Sequence, residues 1–296
     1  MVVAAAGGGG VRVLVTGAAG FIGSHLVTQL AARSHHIIAM DKRNGLPTTD
    51  LSRLQRIVRR TEPDIIVHLG ASCSTQVSLE DPARDFTDNV VGTFNVAEAA
   101  RQASVPVIYT STVKVHHGAD GLIAPLGLSK MVGEDYLALY GDLYGLRHII
   151  LRPSTVYGPG QDGSPEAGWV TWFLRAYLDQ QQITIHGDGR QSRDILHVDD
   201  FTTLLVDMVE RFPEYGGFPH MGRTYDVGGG PENEVSLRAL LALLGHDNVI
   251  HGQRLPGDLQ RVVTDNTDVS AVRGWKPCVP WKDGVLATLD HMRRQP

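Results

Sequence analysis

An α/β fold, a doubly wound parallel sheet followed by a smaller C-terminal substrate-binding lobe, is what the sequence predicts, on three observations. In the first half, short β-branched runs alternate with helical stretches of about 10 to 15 residues, the pattern of successive βαβ units. Those runs are apolar throughout instead of alternating, as strands covered on both faces require. After Arg152 the rhythm stops: Pro and Gly crowd residues 153–168, and short elements follow in mixed order.

In chain order, the first strand is expected over 11–15, where VRVLV runs into a glycine turn, and the first helix over 20–32. HIIAM predicts a second strand over 36–40, and apolar spacing predicts a helix over 51–60. Further strands are expected over 64–69, 105–109 and 147–151, with helices over 81–103 and 129–144 between them. In the lobe, 183–185 and 224–227 read as short strands. The resulting organisation is a flexible leader over 1–10, a first domain over 11–155 to which 193–212 returns, and the lobe over 156–296. The leader lacks the basic and long apolar regions of a signal peptide.

Composition narrows the function. The 296 residues suffice for one large or two modest domains with a sizeable core. A formal charge of −5 argues against a nucleic-acid partner, and no uncharged apolar run is long enough to span a membrane. Of 27 basic side chains only 5 are lysines, so each lysine merits attention. Cys73 and Cys278 are too few for a disulfide framework or a thiolate metal site and fit a reducing cytoplasm. The 13 histidines are scattered, and the pairs 35/36 and 116/117 are adjacent, whereas two ligands on one helix face need i, i+4 spacing. No metal is expected.

The strongest local signal is Thr16-Gly17-Ala18-Ala19-Gly20-Phe21-Ile22-Gly23 between a strand and an amphipathic helix. That order makes a pyrophosphate cradle. Gly17 supplies the tight turn, Gly20 admits the phosphate backbone, Gly23 lets helix and sheet approach, and Phe21 and Ile22 open the helix. Asp41 ends the second strand 18 residues after Gly23, placed to accept hydrogen bonds from an adenosine ribose. Its charge repels a 2′-phosphate and so favours NAD over NADP, a preference that Lys42 and Arg43 soften.

The GxxGxxG spacing, together with Asp64-Ile65-Ile66-Val67-His68-Leu69-Gly70-Ala71, Asn89-Val90-Val91-Gly92-Thr93, Leu151-Arg152-Pro153, Val156-Tyr157-Gly158-Pro159, Arg193-Asp194-Ile195-Leu196-His197-Val198-Asp199-Asp200 and Gly274-Trp275-Lys276-Pro277, resembles the extended short-chain dehydrogenase/reductase family, from about residue 11 onward. Members act on nucleotide-sugars on a Rossmann-type sheet. The resemblance implies adenine contacts from Asp50 and Leu51 and further cofactor contacts from Leu69, Gly70, Ala71, Thr110, Lys130 and Pro153. It also implies a nucleotide-sugar partner and, by analogy, a homodimer.

At the catalytic helix the chain departs from the family. A Tyr four residues before a Lys normally exchanges the hydroxyl proton, and here Leu126-Gly127-Leu128-Ser129-Lys130 puts leucine at that place. Tyr136, six positions after Lys130, is turned about 600° round the helix and does not replace it. Thr112 falls at the family's Ser/Thr position. The next two residues, Val113-Lys114, replace the Asp-Glu pair of 4,6-dehydratases, and decarboxylases also keep a Glu where Lys114 stands. With Gly168-Trp169-Val170-Thr171-Trp172-Phe173 and Gly187-Asp188-Gly189-Arg190-Gln191-Ser192-Arg193-Asp194, the chain is most similar to the CDP-tyvelose (CDP-paratose) 2-epimerase branch.

That likeness implies transient oxidation of a sugar carbon, C2 favoured, and hydride return. Arg193 would meet the diphosphate, Ser74, Thr75, Thr112 and Thr155 would face the sugar, Trp169 would line the pocket or pack in the core, and Arg254 and Asp258 would meet the nucleotide. For the missing proton transfer His116 and Lys114 compete, the latter through desolvation beside Lys130. A 4-epimerase, a 4-ketoreductase and a catalytically weakened binding protein remain as alternatives.

Overall fold

The β-branched runs of the first half form a sheet whose strands are buried along nearly their whole length. The structure, a computed structural model, describes residues 2–3, 10–116, 123–164, 168–215, 222–253 and 260–294, with backbone alone at Val2 and Val3. Contacts divide the chain into two units. The first comprises Met1–Val115, Ala124–Arg152 and Thr202–Tyr225, and the second His116–Ile123, Pro153–Phe201 and Asp226–Pro296.

Along the chain, β1 (Val2–Val3) and β2 (Arg12–Thr16) precede α1 (Phe21–Ala32), β3 (His36–Met40), α2 (Leu51–Thr61) and β4 (Ile65–His68). Then come α3 (Thr75–Glu80), α4 (Pro82–Phe86), a π-helical turn over Thr87–Val91, α5 (Gly92–Ala103), β5 (Val107–Thr110), α6 (Pro125–Tyr144) and β6 (His148–Pro153). The second unit opens with β7 (Thr155–Tyr157), α7 (Trp169–Leu178), β8 (Ile183–His186) and β9 (Ser192–His197). The chain continues through α8 (Val198–Glu210), β10 (Arg223–Val227), β11 (Glu234–Ser236), α9 (Leu237–Leu244), β12 (Val249–Gly252), β13 (Arg261–Val262), α10 (Thr267–Arg273) and α11 (Trp281–Arg294).

The main sheet has the order β1-β3-β2-β4-β5-β6-β10. Every pair from β3 to β6 is parallel. The chain leaves β2 for β3 on one side and returns to β4 on the other, so the carboxyl ends of β2 and β4 flank the switch point where such sheets bind ligands. Helices cover the strands because their apolar stripes need burial: α2 buries Leu54 and Val58, one turn apart, against Leu14, Ile38 and Ile66. Each such side chain contributes about 1.5–3 kcal/mol. In the second unit, β9 is paired by β7 and β13 in parallel and by β11 antiparallel, and β8 pairs β12 in parallel.

Several expectations shift. The single helix over 81–103 is α4 and α5 joined through the π turn. The helix expected from 129 begins at Pro125, whose missing amide and fixed φ suit a first helical position. Strand β5 starts at Val107, because Pro106 accepts from the Ile66 amide but has no N–H for the ladder. Helix α3 was not expected at all. Within the leader, Val2–Val3 pair antiparallel with Ile37–Ile38 and are thus an ordered edge. The segment returning to the first unit is Thr202–Tyr225 instead of 193–212, since β9 pairs within the second unit's own sheet. Among the described residues no helix is long and apolar enough to cross a membrane.

Candidate active site

The cradle lies in the first unit. Gly17 has φ +70°, and a Cβ there would stand 2.7 Å from the Gly70 amide nitrogen, so the turn after β2 abuts the segment after β4. A Cβ on Gly23 would come within 2.1 Å of the Gly17 carbonyl oxygen. Gly20 caps α1 without a side chain, leaving the first amides, at Phe21 and Ile22, to a phosphate. Thr16 Oγ1 accepts from the Gly70 amide at 3.1 Å and lies 2.7 Å from His68 Nδ1, which fixes Leu69, Gly70 and Ala71 beside the turn. Burial, with the charge of Lys130, pushes the His68 imidazole down to about 3, so the ring stays neutral at neutral pH.

Asp41 is buried, and its two oxygens accept from the Ala19 amide at 3.0 Å and the Arg43 amide at 2.8 Å. Each oxygen keeps one lone pair for a ribose hydroxyl. The Arg43 guanidinium donates to the Ala19 carbonyl at 2.8 Å and Lys42 Nζ to Asp88 at 2.8 Å, so both cations that would welcome a 2′-phosphate are engaged elsewhere. The residues present therefore fit NAD. Asp50 is the exposed N-cap of α2, where its carboxylate accepts from the Arg53 amide at 2.9 Å with Leu51 next to it.

Lys130 is buried on α6, its Nζ donating to the Thr110 carbonyl at 2.9 Å and lying 5.0 Å from the Tyr109 ring centre. Burial pulls its amine down to about 8, partly offset by Cys73, Asp85 and Glu134. The Thr110 hydroxyl is buried and has no hydrogen-bond partner among the described residues, an open polar position at the end of β5. Leu126, one turn before Lys130 on the same helix face, is itself buried, and its amide donates to Ser78 Oγ at 3.2 Å.

Two polar networks, not foreseen from the sequence, hold this helix. Asn89 sits in the π turn, donates to Asp85 at 2.9 Å and Ser129 at 3.0 Å, and accepts from the Ser72 amide at 2.8 Å. Burial raises the Asp85 carboxyl against the opposing pull of Ser129 and Lys130. Glu134, one turn beyond Lys130, accepts from Ser111 Oγ and from Arg152, whose Nη2 lies 2.5 Å from Oε2. Asn89 and Arg152 stood inside the family landmarks given above, and the i, i+4 spacing of Lys130 and Glu134 was a usable signal.

Thr112, Lys114 and Thr75 come together. Thr112 Oγ1 accepts from the Lys114 amide at 3.2 Å, and Lys114 Nζ donates to Thr75 Oγ1 at 2.8 Å. Lys114 is exposed, so the desolvation beside Lys130 that would activate it is not its environment. Ser74 Oγ caps α3 by accepting from the Val77 amide at 3.1 Å.

In the second unit, Trp169 Nε1 donates to Thr155 Oγ1 at 3.4 Å. Trp169 and Trp172 are partly buried against the core around Phe173 and Leu174, and Trp169 also reaches Thr155. Pro153 begins the second segment of this unit, and Arg193 donates to the Ser192 carbonyl at 2.7 Å. His116 Nε2 lies 3.2 Å from Asp226 Oδ2, a partner 110 residues away that sequence spacing could not suggest. Arg254, Asp258 and His117 lie outside the described residues.

Comparison with known proteins gives the family. The model of the NAD dependent epimerase/dehydratase family matches residues 13–228, and the chain belongs to that family. It is 34% identical to a UDP-glucose 4-epimerase of Mycolicibacterium smegmatis, over 96% of this chain and 99% of that protein. With the CDP-paratose 2-epimerase of Salmonella typhi it shares 28% identity, over 94% of this chain and 98% of that one. The solved Thermus thermophilus UDP-glucose 4-epimerase in complex with NAD superposes with a TM-score of 0.83 at 32% identity, over 96% of this chain and 100% of that one. The chain is thus an NAD-dependent enzyme of the nucleotide-sugar epimerase family on an extended short-chain dehydrogenase/reductase fold.

Proposed function

We propose that this protein epimerises a nucleotide-sugar at C2 by oxidising that carbon and reducing the resulting ketone from its opposite face. The observation that carries the epimerase reading is Lys130, buried on the Thr110 carbonyl at the end of β5, with the glycine cradle in the same unit. NAD, when bound, accepts and later returns a hydride. Gly17, Gly20 and Gly23 hold its diphosphate, Asp41 its adenosine ribose, and Lys130 the ribose nearer the chemistry.

With an amine at about 8, Lys130 is mostly protonated at neutral pH and stabilises a developing alkoxide. Thr112 hydrogen-bonds the reacting oxygen, and Lys114, held by Thr75, presents a positive charge to the substrate. Leu126 exchanges no proton. We assign that transfer to His116, whose Nε2 faces Asp226 and whose Nδ1 is then the basic nitrogen. Arg193, Thr155 and Trp169 serve the substrate, and Arg254 and Asp258 its nucleotide. The two free thiols support a cytoplasmic setting, and a homodimer rests on family analogy.

The C2 preference is supported by Lys114 and by the 168–173 and 187–194 segments. A C4 reading is favoured by the higher identity to the M. smegmatis UDP-glucose 4-epimerase. Purified protein incubated with CDP-paratose, CDP-tyvelose or UDP-glucose, with no added NADH, distinguishes them by NMR of the products. Interconversion of the CDP-sugars alone supports C2, and galactose formation transfers the assignment to C4. Absence of any epimer while the sugars still bind makes the chain a binding protein, and net NADH consumption in a parallel incubation supplied with NADH makes it a reductase.

A further inference from the structure

Helix α2 carries Arg53, Arg56, Arg59 and Arg60 and no acidic residue, in a chain whose net charge is −5. Arg59 and Arg60 occupy the last turn, where cations complement the helix dipole. Arg53 stands in the first turn, where the dipole disfavours a cation, and Arg56 gains nothing from it mid-helix. The spacing 53, 56, 60 places three guanidinium groups on one stripe, and like charges at such spacings repel. Arg53 donates to the Gly45 carbonyl at 2.7 Å. Among the described residues, Arg56 and Arg60 are exposed and make no ion pair.

The stripe borders a cavity of ≈ 290 Å³ between α2 and β3, lined on its apolar side by Ile38, Leu46 and Ile57. An apolar floor with a few convergent charged groups is the usual make-up of a small-molecule site. None of Gly17 to Gly23, Asp41, Leu69 to Ala71, Thr112 or Lys130 lines it, so it is separate from the cofactor cradle in the same unit.

We propose that this cavity binds a small amphipathic anion, an apolar ring or short acyl body bearing a phosphate, sulfonate or carboxylate. The body lies on the Ile38, Leu46 and Ile57 lining, and the anionic head meets Arg56 and Arg60, with Arg53 at the near end. Guanidinium groups suit this because they offer forked donors to anionic oxygens while remaining charged at every physiological pH. The occupant is a free solute, since a cavity of ≈ 290 Å³ holds one small molecule and nothing larger.

The probe is anilinonaphthalene sulfonate, titrated by fluorescence and equilibrium dialysis into the full-length protein in the presence of saturating NAD and UDP. One probe should bind per chain. Affinity should fall at least tenfold in Arg56→Ala/Arg60→Ala, and at least tenfold for phenylnaphthylamine, the uncharged analogue. Both arginines are exposed, so circular dichroism and NAD affinity should match the parent protein. Ile57→Glu, which sets a carboxylate in the floor, should abolish binding. The proposal is overturned if the double variant keeps parental affinity, if the neutral analogue binds equally well, or if no probe binds while NAD and UDP are saturating.

Discussion

Lys130 titrates differently in the folded and unfolded chain, and stability must follow. Burial sets its amine at about 8 in the folded state against 10.5 when free. Below about 8 both states hold the proton, and the full cost of the buried charge is present. Between about 8 and 10.5 the unfolded chain holds a proton that the folded protein has released, so stability rises with pH. The completed gain is about 3 kcal/mol. Lys130→Met has no such gain. Its unfolding free energy relative to the parent should decline by about that amount between pH 7.5 and 10.5, measured by urea denaturation, while turnover is lost at every pH. A constant difference across that range would refute the buried charge.

Leu126 and Lys130 were readable in the sequence because position along one helix is a local property. The fate of Asp41 was not: its oxygens are claimed by the Ala19 and Arg43 amides, and such competition appears only when the turn and strand end are brought together. His116 was identified as a candidate base, but Asp226 joins it through tertiary folding alone.

Among the elements, α6 carries Leu126 and Lys130, and the Glu134–Arg152 pair fixes it to β6. Removing one partner of such a pair strands the other charge in a mostly buried site. Arg152→Met should therefore cost about 3 kcal/mol. Adding Glu134→Gln should recover more than half of that loss, because the uncompensated carboxylate is gone. Chemical denaturation of the two variants measures both effects, and equal losses would show that packing dominates. Strands β2 to β6 were legible because each is a buried β-branched run. The break between α4 and α5 was not, since a π turn keeps the chain helical and leaves the apolar pattern nearly intact.

For the whole molecule, ligand binding and folding are linked. The cradle exists only when β2, β3 and β4 are assembled, so a cofactor held there binds the folded first unit and not the unfolded chain. At a hundredfold excess over its Kd, NAD should stabilise that unit by about 2.7 kcal/mol. Stripping tightly held NAD should lower the melting temperature by several degrees, and re-addition should restore it. Calorimetry with and without NAD tests this, and an unchanged melting temperature counts against the cradle. The α/β class followed from alternation of runs, a property visible along the chain. Unit membership did not follow, because β9 is claimed by β7, β11 and β13 through partners distant in sequence.

The π turn at Thr87–Val91 has a consequence for how this segment tolerates change in length. A loop closed to the fifth residue instead of the fourth holds one residue more than an α-helical turn, so α4 and α5 run about 100° out of phase with each other. Asn89 reaches Asp85, Ser72 and Ser129 at once because of that offset. Removing a single residue between 87 and 91 would leave a continuous α-helix yet swing Asn89 off its partners. A one-residue deletion here is thus silent in helix content and costly in the site, the reverse of what deletions in exposed loops do.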